Sequence, residues 1–133
     1  MKYHFCVLVL LILLLGCKDV LEKEQVIFKE YDFSTGNYKL LFYGQENKRI
    51  EGFDNFYIDD IETLEKIKKH WIIRYKSDVM PCGYTYAITL EKNNIISKEF
   101  LVNLDCEYMT GWFHFPKSYI TDYKRSFKKM NLK

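Results

Sequence analysis

The sequence predicts an α+β fold: an antiparallel β-meander of five or six strands carrying two helices, about 60–70 and 116–130, on one face. Three observations predict it. Runs rich in β-branched and aromatic residues recur between Gly, Asn and Pro punctuation. Two stretches place apolar residues at helical spacing. Once residues 1–16 are set aside, 117 residues remain, enough for one domain spanning 26–133 and not for two.

Val26 to Phe33 and Tyr38 to Tyr43 flank Ser34-Thr35-Gly36-Asn37, whose Gly and Asn tolerate positive φ, so the pair reads as a hairpin. Arg49 to Ile58 reads as a third, irregular strand bent at Gly52. Asp59 is placed to cap a helix, with Glu62 three residues on as in a capping box. Ile61, Leu64, Ile67 and Trp71 form its apolar stripe, and Glu62–Lys66 and Glu65–Lys69 are i,i+4 pairs with the acid first. Trp71 to Tyr75 reads as a strand, and Ser77 to Cys82 as a loop containing Pro81.

Gly83 to Leu90 and Ile95 to Cys106 read as a second hairpin around Lys92-Asn93-Asn94. Tyr84, Tyr86, Ile88 and Leu90 share one face, and Phe100, Val102 and Leu104 share one on the return strand. Both sets are even-numbered, so paired residue numbers must add to an even sum or one set turns to solvent. A three-residue loop, 92–94 or 93–95, meets that condition. The last segment, Pro116 to Met130, reads as a helix with Ile120, Tyr123, Phe127 and Met130 inward.

The first residues carry a separate signal. Lys2 supplies a positive start, and Phe5 to Leu15 is an unbroken apolar run. Its eleven residues are short for a transmembrane helix, which needs about 17–25, and suit a signal-peptide core. Leu14-Leu15-Gly16-Cys17 resembles the lipobox of bacterial lipoproteins; Leu15 departs from the small residue or Val commoner at minus two. The resemblance implies cleavage after Gly16, a diacylglyceryl thioether on Cys17 and acylation of the new amino terminus. Two or three acyl chains would anchor the protein stably, at about 0.8 kcal/mol per buried CH₂. An ordinary secretory signal and a short uncleaved anchor are the other readings of the same run. Lys18, rather than Asp, stands at plus two, which differs from the inner-membrane retention signal of enteric bacteria. The expected location is therefore the cell envelope, lipid-anchored at the outer membrane on its periplasmic or surface face. Residues 17–25 then form a lipidated Cys and polar tether reaching about 30 Å at most.

Setting aside 1–16 removes Lys2 alone, which leaves 19 basic against 18 acidic side chains, a net of +1. Such a balance gives no reason to expect a nucleic-acid partner. Lys outnumbers Arg 17 to 3 and Ala87 is the only alanine, a usage that fits AT-rich codons and inflates the aromatic content.

With Cys17 lipidated, Cys82 and Cys106 remain as an even pair in an oxidising compartment. A register sum of 188 places them opposite each other at the open end of the second hairpin, and 186 makes them diagonal. A disulfide there closes a loop of about 24 residues and stabilises by roughly 3 kcal/mol in the chain-entropy model. The C-x-x-C spacing of a redox pair is absent, and no metal or cofactor site is expected.

Two constellations could carry chemistry. His114, with Asp105 or Glu107 to orient it and Tyr108 or Ser118 to react, would make a catalytic set, but no spacing requires it, and a surface histidine is the expectation. His70 closes the first helix, where the dipole favours a cation. The segment 106–116, CEYMTGWFHFP, is the other. It either caps the core or serves as a recognition loop, with Tyr108, Trp112, Phe113 and His114 as contacts and Tyr108 and Trp112 partly exposed. The basic stretch from Lys117 to Lys133 reads as a solvated face that could also touch anionic headgroups.

The expected function is a membrane-anchored envelope lipoprotein with a protein partner: a small binding, inhibitor or immunity-type module. A structural or accessory subunit of an envelope assembly is the alternative. A small envelope hydrolase comes last, because no catalytic residues can be assembled.

Overall fold

The computed structural model describes residues 24–76 and 82–131. The expected signal, Cys17, most of the tether and the Ser77–Pro81 stretch lie outside the described residues.

The strands are β1 (Gln25–Val26), β2 (Tyr38–Gly44), β3 (Asn55–Ile58), β4 (Ile72–Tyr75), β5 (Tyr86–Lys92), β6 (Ile95–Asn103), β7 (Tyr108–Met109), β8 (Phe113–His114) and β9 (Lys128–Lys129). They form one sheet in the order β1-β4-β8-β7-β6-β5-β2-β3-β9, antiparallel at every step. This corrects the expected meander of five or six strands. Among the described residues one helix of length, α1 (Ile61–His70), accompanies the sheet, with a single turn α2 (Ser118–Thr121) and a 3₁₀ turn at Lys124–Ser126.

The helix expected over 116–130 is not formed. Ser118, Thr121, Asp122, Tyr123 and Ser126 have modest helix propensity, and the edge of β3 offers ladder bonds instead. Lys128 and Lys129 pair with Tyr57 and Phe56, and Met130 N–H donates to the Asn55 carbonyl at 3.2 Å. Extended backbone there stacks Phe127 on Phe56 with centroids 4.0 Å apart. The expected hairpin at 26–43 is absent too. Ile27 and Phe28 are both buried, and an alternating strand cannot bury two neighbours on one face. The segment therefore turns: Tyr31 N–H donates to the Phe28 carbonyl, and the Asp32 carboxylate accepts from Ser34 N–H and hydroxyl. β1 pairs with β4 instead of β2.

Helix α1 begins where expected, but its cap is Asp60. Asp60 Oδ2 accepts from Thr63 N–H at 2.9 Å and from its hydroxyl at 2.6 Å, so Thr63 takes the place foreseen for Glu62. Those two bonds hold the Asp60 carboxyl below the usual carboxylate range. Leu64 and Ile67 bury the inner face. At its end Trp71 is fully buried, against Phe28, Phe42, Phe115 and Tyr119, and its indole N–H donates to the Tyr119 carbonyl at 2.8 Å.

The β5–β6 pair keeps the even register. Tyr86 faces Val102, Ile88 faces Phe100 and Leu90 faces Lys98, all with sum 188, and the even-numbered apolar residues from 86 to 90 and 100 to 104 are buried. The device differs from the one expected. Asn93 and Asn94 form a two-residue turn with φ of 53° and 64°, the type that suits strand twist. A bulge that adds Ser97 then restores the parity that an even-length loop would have broken.

The candidate functional site: the β7–β8 hairpin

The foot of β6 is tied to the start of β5 by one buried side chain. Asn103 Nδ2 donates to the carbonyls of Cys82 and Gly83 at 3.1 and 2.8 Å. Its Oδ1 accepts from the N–H groups of Asp105 and Cys106 at 2.9 and 2.8 Å. Cys82 and Cys106 are joined by a disulfide across the same corner, with Cα atoms 7.0 Å apart. Asn103 was not singled out by sequence; a lone Asn after a strand is too common a signal.

From this corner the chain turns back at Glu107 (φ 52°) into β7 and β8. Met109 pairs with Phe113 and Tyr108 with His114, which leaves Thr110-Gly111-Trp112 as the loop. Thr110 is bound to Leu101 of β6 in both directions: its N–H donates to the Leu101 carbonyl, and its hydroxyl accepts from Leu101 N–H, each at 2.9 Å. Gly111 takes φ of 92°, and a Cβ there would meet the Phe113 ring at 2.9 Å. Trp112 follows with φ of 68°, a conformation costly for a bulky residue. Its carbonyl accepts from Lys76 N–H at 2.7 Å.

The five large apolar residues of this segment divide. Met109 and Phe115 are buried, and Phe115 sits edge-on to Trp71 with centroids 5.1 Å apart. Phe113 is half-buried against the core. Tyr108, expected to be partly exposed, is 6% exposed, because its hydroxyl reaches back to donate to the Gly83 carbonyl at 3.0 Å. Trp112 is 50% exposed. Tyr75, 43% exposed, lies on the neighbouring strand opposite Phe113.

His114 pairs across the ladder with Tyr108 and Arg74. Its Nε2 lies 3.6 Å from Glu107, while Asp105 turns instead to Lys48 at 3.4 Å. His70 Nδ1 lies 2.6 Å from the Tyr123 hydroxyl. The two histidines share an open hollow of about 300 Å³ with Glu24, Ile72, Arg74 and Tyr119, where Arg74 is paired with Glu24. A larger depression, about 530 Å³, lies elsewhere, beside Arg49, Phe53, Asn55 and Lys129. Among the described residues no group of three or more His, Cys, Asp or Glu side chains is placed to hold a metal.

No family model matches the chain, no curated protein matches it, and no solved structure matches its fold.

Proposed function

We propose that this chain is a non-enzymatic binding module of the bacterial envelope, of inhibitor or immunity type, anchored through a lipid on Cys17. It engages a protein partner through the tip of the β7–β8 hairpin. The observation that carries this reading is Trp112, half-exposed in a left-handed conformation at a tip whose backbone is fixed on both sides. A backbone strained in this way costs about 1–3 kcal/mol and persists where the surroundings enforce it, a pattern that clusters at binding sites. Tryptophan is also a favoured hot-spot residue. The disulfide and Asn103 hold the base of the hairpin, which lowers the ordering cost on binding. The lipid anchor rests on Lys2, the 5–15 run and Gly16-Cys17.

A hydrolase gains little from the geometry: Asp105 faces Lys48, and the hollow beside His114 is shallow with its arginine already paired. The test is affinity purification of the full chain from the envelope fraction of cells that produce it, beside a Trp112→Gly variant. A protein that copurifies at fixed stoichiometry with the native chain and is depleted with the variant supports the reading. Equal recovery of that protein with both chains counts against it.

A further inference from the structure

We propose that the slit between β1 and β6, beside Thr110 and Phe113 of the β7–β8 hairpin, receives one extended strand of the protein partner, with a basic residue flanked by apolar residues. The inference rests on the binding-module reading and names what the site binds.

The first support is an unused strand edge. β6 is nine residues long and pairs with β5 along almost all of it, but with β7 only at Val102 and Asn103, plus the Thr110–Leu101 bonds. Both backbone groups of Leu101 go to Thr110, so Leu101 faces away from β5. In an antiparallel ladder the facing alternates. Glu99, two residues earlier, therefore also directs its N–H and C=O away from β5, and no described strand reaches it. The β7 pairing ends at Leu101, two residues short of Glu99. Further along the same edge, the Ser97 carbonyl is closed by the Tyr31 hydroxyl at 3.0 Å.

The second support is the opposite wall. Ile27 N–H donates to the Trp71 carbonyl, which turns Ile27 toward β4. Val26, one residue earlier, must present its N–H on the other side. Val26 and Glu99 line the same cavity, about 390 Å³ in volume. Its floor is apolar: Ile27, Ile73, Phe100 and Met109, each buried with a small residual exposure of 5–6%, and the half-buried Phe113. A strand laid along Glu99 would send alternate side chains into that floor.

The third support is charge. The Glu99 side chain lies on the sheet face opposite Phe100 and accepts from the Thr89 hydroxyl at 3.2 Å. Glu91 stands on the same face, and the two carboxylates, after burial, raise the Tyr43 phenol above its ordinary value. A partner residue directly across from Glu99 on that face is favoured if it is Lys or Arg, since opposite charges across a ladder attract and like charges repel. Its two neighbours would be the apolar residues entering the slit. Backbone bonds then supply affinity and the alternating side chains specificity.

The experiment uses the full chain in detergent and two synthetic nonapeptides, one alternating Val with Lys and one alternating Val with Glu, with binding read by calorimetry. The Lys peptide should bind several-fold more tightly, and Glu99→Lys should reverse the preference. Glu99→Pro removes the β6 N–H aimed at the slit without touching the β5 ladder, and should lower affinity tenfold or more. Circular dichroism checks that this variant keeps the native spectrum, and Glu99→Lys carries the test if it does not. Failure of both peptides to bind, or binding indifferent to Glu99→Pro and Glu99→Lys, overturns the proposal. Dimerisation of the chain abolished by Glu99→Pro would also overturn it, by assigning the edge to a second copy. If the copurified partner is lost with Trp112→Gly but kept with both Glu99 variants, the edge proposal fails and the hairpin reading stands. If all three variants keep the partner, both fail.

Discussion

The backbone N–H of Lys76 donates to the carbonyl of Trp112 at 2.7 Å, fixing the tip of one hairpin to the end of a neighbouring strand. On the other side Thr110 is bound to Leu101. Between these two ties the chain reverses in three residues, and Gly111 and Trp112 both take positive φ. The tip is thus a rigid mount for an exposed indole.

Gly111 should not tolerate a side chain. At φ of 92° an added Cβ is strained and also meets the Phe113 ring at 2.9 Å. Gly111→Ala is expected to cost about 1–3 kcal/mol, read from chemical denaturation. An unchanged midpoint would mean that the turn is not held as described.

Asp60 contributes to the acid limb of stability. Its folded carboxyl is lowered by the Thr63 bonds, so the stabilisation is fully present above the usual carboxylate range. It is lost as pH falls through the lowered value. Asp60→Ala should cost about 1 kcal/mol at neutral pH. Asp60→Asn keeps a capping oxygen without a charge, and its stability should fall less than that of the native chain between neutral pH and about pH 2. Parallel acid curves for the two proteins would contradict the assignment.

The corner at Asn103 joins two devices, one covalent and one hydrogen-bonded. Replacing Cys82 and Cys106 with Ser should destabilise by roughly 3 kcal/mol. Asn103→Ala leaves two carbonyls and two N–H groups to find new partners and should cost about 1–3 kcal/mol with the disulfide intact. Thermal unfolding of each variant checks both values. If Asn103→Ala is silent, the corner is held by the disulfide alone.

Processing tests the anchor. Cys17→Ser should abolish acylation and leave the chain uncleaved before residue 17. Mass spectrometry of membrane-fraction protein that shows a free, unmodified Cys17 would exclude lipidation.

Helix α1 and the β5–β6 register were legible in the sequence because each depends on local patterns. Asp and Glu lead α1 while Lys68, Lys69 and His70 trail it, and the even-numbered apolar rows admit one parity. The route to that parity was hidden, since an Asn-Asn turn with a bulge at Ser97 and a three-residue loop satisfy the same sum. The segments at either end of the described domain depart from the expectation because distant partners decide their structure. Lys128 and Lys129 become a strand because β3 has a free edge, and Gln25 and Val26 find β4, about 46 residues on, instead of their neighbour β2. In the hairpin, aromatic crowding was visible, but which ring stays out was not. Tyr108 is drawn in by the Gly83 carbonyl, a contact across 25 residues of sequence.

On the function proposed above, Trp112 is kept in a strained conformation for a partner and not for the fold. The most direct measurement takes Trp112→Gly and reads two quantities on the same preparation: unfolding free energy, and affinity for the envelope protein that copurifies with the native chain. Glycine relieves the left-handed strain, so stability should hold or rise by up to about 1 kcal/mol. Affinity should fall about thirtyfold or more, the loss of a hot-spot residue worth about 2 kcal/mol. Undiminished affinity, or a loss of stability that accounts for the loss of binding, would contradict the account.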